Sequence, residues 1–144
     1  MAVSLRERAC VHEAGHTVAA LVYGVEIISV TVKDRPHLHR GRYHAPTSEL
    51  GFEVVAVICF AGICAEELLC GPIEDGGDLL DLRMVRAHIA RSVSNPLQVG
   101  VELARHRDAA ARLVRSQWAR QRIAKLAAAL LARGTLSGEE IHGL

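Results

Sequence analysis

His12-Glu13-Ala14-Gly15-His16 spells H-E-x-x-H. On an α-helix, residues four apart share one face, so His12 and His16 can direct two imidazoles at a single metal ion. Glu13, one step around the helix, is then placed to take a proton from a water beside that ion. Imidazoles suit zinc, and a neighbouring carboxylate suits general-base work; together they are what metal-dependent peptide hydrolysis needs. The bland alternative is an amphipathic helix that happens to carry two histidines. A third ligand elsewhere in the chain is what separates the two.

A catalytic zinc takes three protein ligands and leaves one position open. The arrangement with a third histidine six residues after the second is excluded, because position 22 is Val. Asp78 and Asp81, after a glycine loop, are the best candidates, with Asp81 placed first. Glu66 and Glu67 are their rivals. Each has a plain structural reading as well. Asp78 suits a helix N-cap with Asp81 as its capping partner, and the glutamates suit the solvated end of a helix. Glu67 and Asp78 are also candidates for orienting a ligand histidine from behind.

The elements that must carry these residues follow from pattern and punctuation. Ser4 with Glu7 forms a capping box that opens a helix running to about Tyr23, with Gly24 as its stop. Gly15 costs that helix about 1 kcal/mol relative to Ala, which implies close approach by another segment. Val25 to Lys33 is rich in β-branched residues and reads as a strand. A second short strand is placed around Gly41 to His44. A helix is expected from about Ser48 to Leu69, stopped by Gly71-Pro72, and a third from near Asp78 to just before Asn95-Pro96. Val101 to Arg133 reads as one long amphipathic helix or a broken pair, and Ser137 with Glu140 opens a short terminal helix. The expected class is mainly α with a small β-sheet, in one domain over residues 1–144. Its metal-site core is placed in residues 1–100 and further helices in 101–144.

Half of the 144 residues are apolar but only 3% are aromatic, a balance that favours helix packing over a β-sandwich. A net charge of +1 implies no general attraction to nucleic acid or to an anionic membrane. From Arg105 to Arg133 basic residues face one acid, Asp108, and a solvated helix face explains them better than a nucleic-acid surface. Val54 to Ala65 is the longest apolar run and is too short to span a bilayer. Cys10, Cys59, Cys64 and Cys70 form no C-x-x-C pair and read as small buried hydrophobes. With no apolar leader at the N-terminus, the expected setting is cytoplasmic. His37, His39 and His44 gather in one loop, and surface histidines near a cleft explain them better than a second metal site.

Four stretches taken in order resemble the peptidase domain of the FtsH-type, ATP-dependent zinc metalloproteases. His12 to Val18 resembles that family's H-E-A-G-H signature. Ala61 to Gly71 (AGICAEELLCG) is similar to its G-G-R-x-A-E-E helix, and Gly77 to Leu82 to its G-x-x-x-D-[LI] segment. Leu126 to Ile141 (LAAALLARGTLSGEEI) resembles its closing stretch. The first motif is shared by many zincins, whereas the four in order are specific.

By that resemblance His12, His16 and Asp81 hold one Zn²⁺ per chain, Glu13 is the catalytic base, and Asp78 matches no ligand. The strand around Ile28, Val30 and Val32 is implied to bind an extended substrate peptide by edge pairing. The expected activity is hydrolysis of peptide bonds in unfolded or partner-delivered proteins. The alternative is a non-proteolytic module that binds a metal or a partner on the same fold. Family members carry membrane helices and an ATPase module ahead of this domain, yet no G-x-x-x-x-G-K-[ST] occurs here. A separate ATPase or adaptor, and a homo-oligomer, are therefore expected partners, and Ile63-Cys64 replaces the family's usual Gly-Arg pair.

Overall fold

The computed structural model describes residues 2–32, 51–74 and 78–144, and the backbone of 42–44. Two helices form its centre. Helix α1 (Leu5–Val22) opens as the sequence predicts. Ser4 Oγ accepts from the Glu7 amide at 3.2 Å, and Glu7 Oε2 accepts from the Ser4 amide at 2.7 Å. It closes at Gly24, whose φ of 68° lets the Val25 amide turn back onto Ala20 O at 2.9 Å. Helix α2 (Phe52–Cys70) begins later than Ser48, the expected start, and residues 45–50 lie outside the described residues. Every residue from Val55 to Glu66 is buried, as befits a helix that is apolar all round.

The α1–α2 contact explains the glycine within the first helix. A Cβ on Gly15 would stand 2.6 Å from Ala61 O and 2.7 Å from Ala65 Cβ, so the two backbones meet where neither carries bulk. That packing offsets the helix-propensity cost of about 1 kcal/mol.

Three further helices clothe this pair. Helix α3 (Leu79–Ser92) and helix α4 (Gln98–Arg115) pack on α2, and helix α5 (Gln117–Arg133) packs on α1. The long C-terminal amphipathic segment is thus the broken pair. The break is Ser116, extended at φ −60° and ψ 144°, whose Oγ accepts from the Ala119 amide at 3.3 Å and so caps α5. The core is continuous through all five helices, with Val85, Val114, Ile123 and Leu130 sealed against the central pair. Helices α4 and α5, from the C-terminal segment, pack onto α2 and α1.

A small antiparallel sheet closes one end. Among the described residues it contains β1 (Ser29–Thr31), β2 (Arg42–His44) and β3 (Thr135–Ser137), in the order β2-β1-β3. Val30 stands opposite Tyr43 on one side and Leu136 on the other. The sequence reading placed β1 as an edge available to substrate. That expectation is corrected: β1 is the central strand, with a neighbour on each side. Beyond the strand proper, the Gly138 amide donates to Ile28 O and the Val32 amide to Gly134 O, each at 2.9 Å, so the β3 side is occupied from 28 to 32. Val30 and Val32 are buried, and Ile28 is exposed. Among the described residues, β2 and β3 are the outer strands of the sheet.

Helix α6 (Gly138–His142) follows β3 directly. Its capping box forms only by half. Ser137 Oγ accepts from the Glu140 amide at 3.2 Å, but the Glu140 carboxylate turns to Arg133 Nη1 at 2.8 Å. Among the described residues no helix is long and apolar enough to cross a membrane.

Candidate metal centre

Helix α1 carries His12, Glu13 and His16 on its inward side, and they are 3%, 4% and 7% exposed. Three ionisable groups buried together must find partners or stay neutral. One ligand atom from each lies within 4.8 Å of the others, a grouping able to hold a metal ion.

Helix α2 fixes how the histidines face. His16 Nδ1 donates to Ile58 O at 2.7 Å, and His12 Nδ1 lies 2.9 Å from Glu66 Oε2. With both Nδ1 atoms committed, both Nε2 atoms turn to the same side, as metal-ligating imidazoles are usually held. Helix α3 then supplies the third group from its first turn. Asp81 Oδ2 lies 2.6 Å from His12 Nε2 and 3.3 Å from His16 Nε2. Ligand atoms in a tetrahedral shell with bonds of about 2.0–2.2 Å stand roughly 3.3 Å apart. The His16–Asp81 spacing meets this, and the His12–Asp81 spacing is shorter. His12, Glu13 and His16 thus form a buried group that could hold a metal ion, with the Asp81 carboxylate against both imidazoles.

The electrostatics fit the same picture. Burial opposes a charge on His12, but its bonds to Asp81 and Glu66 outweigh that and raise its pKa to about 10. Burial also opposes a charge on His16, and the Asp81 carboxylate overcomes it, raising that pKa as well. For Asp81, burial is again the largest opposing effect, yet the two histidines hold its carboxyl well below the usual carboxylate range. Free of metal, the three groups form an ion-paired cluster. A cation entering it displaces protons from Nε2, so its affinity falls as the solution is acidified. Beside them, burial and then the Asp81 charge push the Cys59 thiol up to about 12, which keeps it protonated and unreactive.

Two of the residues expected near the metal lie elsewhere, and a different one takes the role. Glu67 faces Arg107, whose Nη2 donates to its two oxygens at 2.8 and 3.0 Å, and is half exposed on the outer side of α2. Glu66, fully buried, occupies the place behind His12 that Glu67 was expected to hold. The reason is helical phase. Ile58, Gly62 and Glu66 recur every fourth residue and share the stripe facing α1, while Glu67 is turned about 100° away. Asp78 sits at the N-cap position of α3 without a side-chain bond to the helix, one turn before Asp81. Its backbone carbonyl accepts from the Leu82 amide at 3.0 Å, so its contribution is to the first turn of α3 rather than to a ligand. His37 and His39 lie outside the described residues, and of His44 only the backbone, in β2, is described.

Gly62 is a site residue of another kind. A Cβ there would overlap the His16 ring, standing 2.6 Å from Nε2 and 2.8 Å from Nδ1. The ring occupies the space that this glycine leaves open. Replacing Gly62 with Ala is expected to push His16 off its bond to Ile58 O and to weaken metal binding by at least about tenfold. Overpacking of this sort costs about 1–3 kcal/mol. Metal titration of the folded variant checks it, and binding equal to that of the unaltered protein would refute this role.

A cavity of about 610 Å³ lies between α2 and α4, lined by Cys64, Glu67, Leu68 and Arg107 among others, and takes in none of His12, Glu13, His16 or Asp81. Size does not make it the chemical centre, because the ligand-bearing side chains converge elsewhere. No family model matches the chain, and no curated protein matches it. The reading of the site rests on its own residues.

Proposed function

We propose that this chain is a zinc-dependent endopeptidase of the FtsH-like kind, acting on unfolded or partner-delivered protein segments. The observation that carries the reading is the meeting of His12 Nε2 and His16 Nε2 on one oxygen of Asp81, with Glu13 in the same buried group. A binding module needs the ligands but has no use for a buried glutamate beside them. Leu79 and Leu80, 56% and 51% exposed, flank the start of the helix that bears Asp81 and offer apolar surface to an extended chain.

His12, His16 and Asp81 would hold the zinc, which when bound would supply a Lewis acid for a peptide carbonyl and for a water. Glu13 accepts a proton from the attacking water as its oxygen bonds to the carbonyl carbon. The carbon–nitrogen bond then breaks, and Glu13 returns the proton to the departing amine. Glu66 holds His12 in the orientation that leaves Nε2 for the metal, and Ile58 O does the same for His16. An anionic third ligand makes the metal less positive than three neutral imidazoles would, so activation of the water leans on Glu13.

The test is metal content followed by chelation. The purified protein is expected to carry about one zinc per chain and to cut an unfolded protein such as reduced casein. A strong chelator abolishes cutting, and added zinc restores it. Cutting that survives complete metal removal would overturn the proposal, and bound zinc without turnover would favour a binding module.

A further inference from the structure

We infer that Arg8 is a positioning residue of the metal centre, locking the orientation of His12 to the segment that delivers Asp81. The inference rests on the reading of His12, His16 and Asp81 as metal ligands. Arg8 stands one helical turn before His12 on α1, four residues away and therefore on the same face. Its side chain is only 14% exposed, and its guanidinium makes four bonds. Nε donates to Glu66 Oε1 at 2.8 Å. Nη1 donates to Cys70 O at 2.8 Å. Nη2 donates to Gly71 O at 2.9 Å and to Pro72 O at 2.7 Å.

These bonds join two things that a metal site must keep in register. The first is the Glu66 carboxylate, which uses one oxygen for Arg8 and the other for His12 Nδ1. Its plane is held from behind by a planar donor, so the imidazole it grips cannot swing and Nε2 keeps its aim. The second is the end of α2. Cys70 is the last residue of α2 and Gly71 and Pro72 follow it, so the three carbonyls lie at the negative end of that helix. Arg8 satisfies all three and fixes where the chain departs towards Asp81, nine positions beyond Pro72. One side chain thus ties ligands from α1 and α3 to a common frame.

A helix cap alone would need the carbonyl bonds but not the bond to Glu66. A partner for Glu66 alone would need the charge but not the fork. Lysine can supply a charge to one of the two, but a single ammonium cannot reproduce the planar spread of donors that reaches both.

The experiment compares the full chain with its Arg8→Lys and Arg8→Ala variants. Circular dichroism first establishes that each is folded. Zinc affinity is then measured by competition with a chromophoric chelator, and cobalt(II) is bound for its ligand-field spectrum, which reports coordination geometry directly. The expected result is zinc affinity lowered by about 10- to 100-fold in Arg8→Ala and about tenfold in Arg8→Lys, with altered cobalt bands in both. A folded Arg8→Lys protein with the affinity and cobalt spectrum of the unaltered chain would overturn the inference, whatever its melting temperature. It carries the test alone if Arg8→Ala does not fold. An unaltered protein that takes up neither zinc nor cobalt would overturn the ligand reading itself, which is a separate failure visible before any variant is made.

Discussion

Replacing Glu13 with Gln is expected to leave zinc bound and the fold intact while lowering peptide cleavage by about 10³-fold. Glutamine keeps the size and shape of the side chain but cannot accept a proton at neutral pH. Proton transfer by a positioned side chain is worth roughly 10²–10⁴ in rate, or about 3–5 kcal/mol of barrier. Two features place the effect in the middle of that range rather than at its lower end. Glu13 is 4% exposed, so bulk water cannot readily take over as base. In the proposed ligand set the third ligand is a carboxylate, which would leave the metal a weaker acidifier. Two measurements on one preparation decide the matter: metal content, and the turnover number against an unfolded protein. Undiminished turnover would sink the assignment of the base. Loss of metal together with turnover would instead place Glu13 among the ligands.

Asp81→Ala is expected to have the largest effect on metal binding of any single change. A structural zinc site with four ligands binds with about 10–16 kcal/mol, which suggests roughly 3 kcal/mol for one ligand and a loss near 10²- to 10³-fold. Two features of the structure sharpen the expectation. Asp81 contributes one oxygen to both histidines, so its loss removes a ligand and the charge around which the imidazoles are arranged. Asp78, three residues earlier, provides the internal control. Asp78→Ala removes a carboxylate of similar sequence surroundings that has no contact with either Nε2 atom, and it should leave metal affinity within about twofold. Equal losses from the two substitutions would mean that general charge near α3, and not ligation, holds the metal.

The two histidines and Glu13 are legible in the chain because their relation is local: one helix, one spacing. Capping serines and stop glycines are legible for the same reason, and Ser4, Gly24 and Gly134 act as the sequence predicts. What resists reading depends on a second element. Glu66 and Glu67 differ by one position, and only the rotation of α2 against α1 decides which carboxylate meets His12. The small residues Ala61, Gly62 and Ala65 mark the contacting stripe, and extending it by four from Gly62 selects Glu66, so a signal is present once the stripe is recognised. Strand β3 is three residues long, set between a helix-stopping glycine and a capping serine, and its alternation is too short to register. The central place of β1 was hidden for the same reason: nothing in Val25 to Lys33 tells that its second neighbour comes from the far end of the chain.

That long-range pairing bears on when the surroundings of the candidate metal centre can form. Thr31 and Thr135, whose hydroxyls meet at 3.1 Å, are 104 positions apart in sequence. Helix α5, just before β3, packs against the helix that carries His12, Glu13 and His16. During synthesis the H-E-x-x-H helix leaves the ribosome well before the strand and helix that pack beside it. Closing so wide a loop is slow compared with forming helices locally. The core around the candidate metal centre is therefore completed only after Leu136 and Ile141 are free to bury themselves. Under the proposed function, that order would separate a growing chain, itself an unfolded polypeptide, in time from the completed peptidase.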